Sequence, residues 1–242
     1  FKNTILKTVY KLIQKAVKSK IDKIIFQNNV DCNYYVKNNL INIKNAVVIK
    51  SSGIDLARFT AKVKDSQLSL LRKALNLHNK KTFILVSRLV KQKGNLNYLQ
   101  AAKICKTKGY QDNFLLVVQL DTDNSITLGE VESYNEYVNY LGKREDIQEL
   151  LLLSDIFVLP TYYREGVPRV LLEASAIGLP LITTNMPGCK DVLINGFNGI
   201  VTNVKDSTDL SKKMIALAED EELLNKLSIN AKEKVKEFDL KI

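Results

Sequence analysis

The sequence predicts an α/β protein built on a doubly wound parallel sheet. Three observations lead there. From residue 82 onward, short apolar runs rich in Ile, Leu and Val alternate with stretches of helical periodicity. The runs are continuous rather than alternating, as in strands covered by helices on both faces. Turn-formers are concentrated: all four prolines and five of the ten glycines fall between Asp155 and Gly199, where the runs are most sharply cut.

Taken in order, residues 3–20 read as a helix with Ile5, Leu6, Val9, Leu12, Ile13, Ala16 and Val17 along one side and lysines elsewhere. Two readings of it stay open. One is a solvated lysine face over a packed apolar stripe; the other is contact with an anionic membrane surface or an anionic lipid-linked substrate. Residues 23–27 (KIIFQ) read as a strand, Asn28–Asn39 as a helix with an Asn or Asp cap, and Ala46–Ile49 as a strand. SSGIDLARF (51–59) reads as a connection. Asp65–Leu77 is helical and Thr82–Ser87 a buried strand, followed by the basic loop from Arg88 to Gly94 and a helix over Asn95–Lys106. Phe114–Leu120 is a strand, Glu130–Asn135 a helix, Val138–Leu141 a strand and Gln148–Leu153 a helix. Ile156–Leu159 is the next strand. A polar loop leads to Pro168, which opens a helix carrying Val170, Leu171, Ala174 and Ile177 at helical spacing; Gly178 closes it. Leu181–Thr184 and Ile200–Thr202 are strands, and Ser207–Ala218 and Glu221–Glu237 helices.

The totals exclude several classes. The formal net charge is +10, but residues 1–50 hold ten lysines against Asp22 and Asp31, so +8 of it lies in that segment and +2 in the rest. Residues 3–20 have no Arg and, with Tyr10 their one aromatic, no interleaved base-stacking pattern, so no nucleic-acid partner is expected. No run of 18 apolar residues exists to span a membrane, and the amphipathic start is not a signal peptide. Cys32, Cys105 and Cys189 lack metal spacing and are odd in number, which reads as reduced thiols of a cytoplasmic protein. His78, the sole histidine, sits at a helix end and reads as a surface or cap residue. An opening Phe in place of Met reads as part of a longer protein.

The chemistry is expected in the loops at the carboxyl ends of the strands, where a doubly wound sheet opens a crevice. Arg88 and Lys93 with Gly94 make a phosphate cradle ahead of a helix, with Lys91 facing solvent. Glu165 precedes Gly166 and Pro168, and Glu173 follows eight positions later. Gly166 lets a ligand approach the backbone, and the helix start after Pro168 favours an anion. Eight residues span roughly 12 Å at helical rise, close to the reach from a nucleotide's ribose across a diphosphate to an attached sugar. By itself, though, this spacing better suits an exposed first-turn Glu and a solvated helix Glu, since acidic residues are common in first turns. Asp121 with Asp123 makes an Asp-x-Asp pair of the kind that holds a divalent ion on a diphosphate, but a lone pair is a weak signal and a solvated loop after a strand is the reading taken.

EGVPRVLLEASAIGLPLITTNMPGCKDVLINGFNG (165–199) is similar to the signature of retaining glycosyltransferase family 4, a GT-B fold family. The mark is Glu, seven residues, Glu, followed by small-x-G-x-P-x-I-T-T and P-G-C. YLGKREDIQELLLLSDIFVLPTYYREG (140–166) resembles the pattern that precedes it, and SSGIDLARF the hinge between the family's two domains.

The resemblance implies that residues 51–242 form the Rossmann-like domain binding a nucleotide-diphosphate sugar, UDP-linked by expectation. Residues 1–50 would be the tail of the acceptor domain. It implies that Arg88 and Lys93 act on the donor diphosphate, Glu165 on the sugar, and Glu173 on the ribose. Gly166, Val167 and Pro168 would line the donor, and Lys143 and Arg144 would occupy the loop that meets the base, largely through backbone. The two cations would do a metal's work, so no metal or other cofactor is expected. The implied reaction moves a hexose or N-acetylhexosamine, with retention, to a glycan or lipid-linked acceptor in bacterial surface polysaccharide synthesis. It would take place in the cytoplasm or peripherally at the membrane's cytoplasmic face. Arg169, where many members have a small polar residue, hints at the branch acting on lipid-linked acceptors. The alternatives are a donor-binding fragment without turnover, or a GT-B-fold UDP-sugar epimerase, which would need a carboxylate–His pair. A nicotinamide-binding protein is disfavoured because no G-x-G-x-x-G follows a strand.

Overall fold

The computed structural model describes residues 4–49, 51, 53–121 and 126–240. Helix α1 (Thr4–Val17) leads to a two-stranded parallel sheet, β1 (Ile24–Phe26) and β2 (Ala46–Val48), joined through α2 (Asn29–Lys37). Asn28 caps α2: its side chain accepts from the Asp31 N–H, satisfying a donor the helix cannot.

A six-stranded parallel sheet carries the rest. Its strands are β3 (Thr82–Leu89), β4 (Asn113–Leu120), β5 (Asn139–Gly142), β6 (Ile156–Leu159), β7 (Leu181–Thr184) and β8 (Gly199–Thr202). They lie in the order β5-β4-β3-β6-β7-β8, so the chain winds outward one way from β3 and the other way from β6. The helices between are α3 (Leu56–Thr60), α4 (Asp65–Ala74), α5 (Asn95–Thr107), α6 (Leu128–Glu132), α7 (Ile147–Leu152), α8 (Arg169–Ile177), α9 (Pro187–Val192), α10 (Ser207–Glu219) and α11 (Glu221–Val235).

The central strands β3, β4, β6 and β7 are largely buried on both faces, and their alternation divides the core in two. Phe83, Leu85, Leu116 and Val158 face Leu99, Ala102, Leu210 and Met214 of α5 and α10. Ile84, Leu115, Phe157 and Leu159 face Phe59, Leu150, Leu171 and Ala174 of α3, α7 and α8. Tyr98 crosses the first layer and donates its hydroxyl to the carbonyls of Phe83 and Leu115, each at 3.1 Å.

The doubly wound parallel sheet is as expected, with four differences. β3 runs two residues further, because β4 stays in register with it to Leu89↔Leu120; Arg88 is thus a strand residue and not part of the loop. α6 starts earlier than read, because Thr127 and Glu130 form a capping box. α3 and α9 were not anticipated; Asp55 caps the first and Pro187 opens the second.

The fourth difference concerns α1. Its apolar stripe is not packed within the described residues: Ile5, Leu6, Val9, Leu12, Ile13 and Val17 are all exposed. The opposite face docks on α2 and the turn after it, through a Tyr10–Tyr35 hydroxyl contact and through Lys11 donating to Asn38, and Lys18, just past α1, donates to Asn39. α2 offers polar partners there, and partner chemistry decides which face of the helix turns inward. Among the described residues, no helix is long and apolar enough to cross a membrane.

Candidate active site

The winding reverses between β3 and β6, so the loops that leave these two strands part and open a crevice beyond their carboxyl ends. The β3 loop is braced against the β6 loop. Gln92 O accepts from Tyr162 N at 2.8 Å and from Thr161 Oγ1 at 3.0 Å. Gly94 sits at φ +79, and a Cβ there would lie 2.2 Å from Pro160 O; both conformation and space demand glycine. Asn95, fully buried at the start of α5, ties the loop from inside. It donates to Arg88 O and Val90 O at 3.0 Å each and accepts from Ser87 Oγ at 2.9 Å.

This bracing brings Lys93 and Glu165 together. Lys93 Nζ donates to Glu165 Oε1 at 2.5 Å; Lys93 is buried and the Glu165 side chain mostly so. The ammonium also lies 5.8 Å from the centre of the Tyr163 ring, within cation–π range. Lys91 is exposed, as expected. Arg88 points elsewhere than to Glu165: its Nη1 meets Asp121 Oδ2 at 2.6 Å, at the end of neighbouring β4. Asp121 is therefore an anchor for Arg88. Thr122 and Asp123, the rest of the suggested metal-binding pair, lie outside the described residues.

Glu173 stands on α8 with its side chain largely buried, and accepts from Arg169 Nε at 3.2 Å. Burial pushes its carboxyl above the ordinary value; Arg169, by charge and hydrogen bond, and the charge of Arg58 on α3 pull the other way. No side chain caps α8, and Gly178 closes it at φ +95. Pro168 is buried ahead of it and Val167 packs against the core.

Lys143 and Arg144 follow β5 and keep local company. Lys143 pairs with Glu145 at 3.0 Å, both exposed. Arg144 grips Asp146 with two nitrogens, at 2.8 and 2.5 Å, which holds the Asp146 carboxyl below its usual range. Nothing among the described contacts joins either side chain to Lys93 or Glu165.

Gly166 meets protein closely: a Cβ there would come within 2.0 Å of the Gln27 amide oxygen, at the end of β1. Next to it, Arg164 Nη2 pairs with Asp31 Oδ1 of α2 at 2.8 Å. The Glu165 loop is thus in contact with the amino-terminal segment. Gln27, Asp31, Asn95 and Asp121 were not singled out for these roles in the sequence. Only a buried Asn at a helix start could have signalled one of them, and burial is not visible in one chain. Among the described residues, no three His, Cys, Asp or Glu side chains gather as a metal would require.

Residues 69–234 match the family described as Glycosyl transferases group 1. The chain belongs to this family. Its relatives include the N,N'-diacetylbacillosaminyl-diphospho-undecaprenol alpha-1,3-N-acetylgalactosaminyltransferase of Campylobacter jejuni, 33% identical over 241 residues, covering 99% of this chain and 62% of that one. Another is the UDP-Gal:alpha-D-GlcNAc-diphosphoundecaprenol alpha-1,3-galactosyltransferase of Escherichia coli, 29% identical over 235 residues, covering 95% and 59%. This group 1 chain therefore spans about three fifths of the length of the curated relatives it matches. Its fold is that of the GT-B glycosyltransferases. Anabaena Alr3699/HepE in complex with UDP superposes with a TM-score of 0.80 at 23% identity, covering 90% of this chain and 60% of that one.

Proposed function

We propose that this group 1 glycosyltransferase chain binds a nucleotide-diphosphate sugar, UDP-linked, in the crevice between β3 and β6. In this reading it serves the transfer of a hexose or N-acetylhexosamine to a glycan or lipid-linked acceptor in bacterial surface polysaccharide synthesis, with retention as in family 4. The observation that carries the reading is the Lys93–Glu165 pair at the switch point of the sheet. The names of the relatives, which concern sugars joined to diphospho-undecaprenol, support the acceptor class. Residues 51–242 are the donor-binding unit on this reading, and residues 1–50 belong to the acceptor side.

The chemistry follows from where charge develops. The bond between the sugar's anomeric carbon and the diphosphate oxygen breaks, and its electron pair stays on the leaving diphosphate. On this reading Lys93, Arg88 and the amino end of α8 stabilise that charge, Arg88 while held by Asp121 at 2.6 Å. The acceptor hydroxyl oxygen bonds to the anomeric carbon, and its proton passes to a departing phosphate oxygen. Glu165 orients the sugar through its hydroxyls. Glu173 accepts from the ribose, Gly166, Val167 and Pro168 line the donor, and the backbone around Lys143 and Arg144 meets the base. Contact of the exposed apolar side of α1 with a membrane surface belongs to the same proposal.

Calorimetric titration of UDP and UDP-sugars against the chain tests the donor site. Lys93→Met removes a charge-assisted hydrogen bond and is expected to weaken UDP by about 10- to 100-fold. Unchanged affinity in this variant refutes the site.

A further inference from the structure

Arg169 is the residue of α8 whose position the helix itself does not explain. It opens the helix, at the end where the macrodipole favours an anion and opposes a cation. It donates to Glu173 one turn on, at 3.2 Å between Nε and Oε1, and a cation ahead of its carboxylate is the weaker of the two orders for such a pair. The Arg169 side chain is 60% exposed and that of Glu173 only 16%, so the contact joins a solvated cation to a buried anion. Helix stability gains little from a cation so placed. We propose that Arg169 is a positioning residue for the donor: it holds one oxygen of the Glu173 carboxylate and so presents the other to the ribose.

The geometry of the contact supports this. A carboxylate accepts on two oxygens, and Arg169 takes Oε1 alone. Among the described residues, nothing else hydrogen-bonds to this carboxylate, so Oε2 is left for a hydroxyl. Burial favours the protonated acid, which would accept less well; Arg169, and the charge of Arg58 from α3, oppose it. The helices α7, α9 and α11 also pack on or beside α8, and among the described residues none of their charges bears on Glu173. Of the two arginines only Arg169 bonds to it, while Arg58 lies 5.7 Å from the centre of the Phe59 ring. In the sequence Arg169 hinted at the acceptor; in the folded chain it is bound to the carboxylate proposed for the donor. The inference rests on that donor reading.

The test measures affinity for the β-methyl ester of UDP between pH 5 and 8. Its diphosphate is esterified at both ends and does not titrate in that range, and it requires no choice of sugar. Arg169→Met should weaken this probe about five- to tenfold at pH 7.5. The loss should grow as the pH falls, because without the guanidinium Glu173 takes up its proton at a higher pH. Arg169→Lys should keep most of the affinity. Glu173→Gln cannot titrate and supplies the baseline: in that background Arg169→Met should change affinity by less than about twofold at every pH. Equal affinity of Arg169→Met and the parent across the range overturns the inference. So does an undiminished loss in the Glu173→Gln background, which would make Arg169 a donor contact in its own right. Either result, with the parent binding the probe, overturns this inference alone; a parent that binds neither UDP nor its ester overturns the donor reading and this with it.

Discussion

Lys93 has three ammonium hydrogens and gives one to Glu165. The pair can therefore persist while the ammonium serves the phosphate of the proposed donor, so on that proposal Glu165 is a fixed support for the cation as well as a contact for the sugar. Lys93→Met should cost stability in addition to affinity. It leaves a largely buried carboxylate without its partner, at about 1 to 3 kcal/mol after allowing for the partial exposure of Glu165, measured by urea unfolding. Glu173 behaves oppositely. Its raised value means the folded chain holds a proton more readily than the unfolded one, with burial the main cause. Stability should fall as pH climbs from the unfolded carboxylate value through the raised folded value, and Glu173→Gln should lack that slope. The variant should unfold at the same or a higher temperature at pH 7, yet bind UDP more weakly. A variant that loses stability at neutral pH, or binds UDP unchanged, contradicts the proposal of Glu173 as a buried carboxylate that accepts from the ribose.

At the scale of an element, the turn from Arg88 to Asn95 is the one to watch. Past the last residue of β3 a single 3-10 turn (Lys91–Lys93) carries it, and Asn95 adds bonds to Arg88 O and Val90 O from within. Asn95→Ala removes three side-chain hydrogen bonds at a buried site, although Arg88 O and Val90 O keep the N–H groups of Val90 and Lys93; it should cost about 2 to 4 kcal/mol in urea unfolding, with UDP weakened at least tenfold as Lys93 loses its position. Gly94→Ala forces a left-handed conformation and a clash with the Pro160 carbonyl; it should destabilise by about 2 kcal/mol or more. If Asn95→Ala keeps full UDP affinity, the turn does not position Lys93.

For the molecule as a whole, the open question of α1 becomes measurable. The outward side of α1 carries Leu12 at 62% exposure and Ile5 at 72%. Leu12→Glu should therefore shift the unfolding temperature by less than about 2 °C, as for a surface change. A fall of 5 °C or more would mean that this side is covered in solution. The contact between the amino-terminal segment and the Glu165 loop is similarly light in energy. Its Arg164–Asp31 pair is half exposed, worth about 0 to 1 kcal/mol, so Arg164→Ala should leave unfolding almost unchanged.

The sequence by itself determined the doubly wound sheet, because continuous apolar runs cut by Pro and Gly leave little else for a chain to do. It also marked Lys93 and Glu165 through the loops in which they stand, and the 165–199 motif pointed to the family. What the tertiary structure decided was pairing. Lys93 meets Glu165 because β3 and β6 are neighbours in space although 72 positions separate the two residues. Arg88 turns to Asp121 because β4 extends β3 to its last residue. α1 turns Tyr10 and Lys11 inward because α2 and the residue after it present Tyr35 and Asn38. A helical pattern shows that a helix has two faces; which face is covered depends on the chemistry of the surface it meets, and that surface is assembled from other parts of the chain.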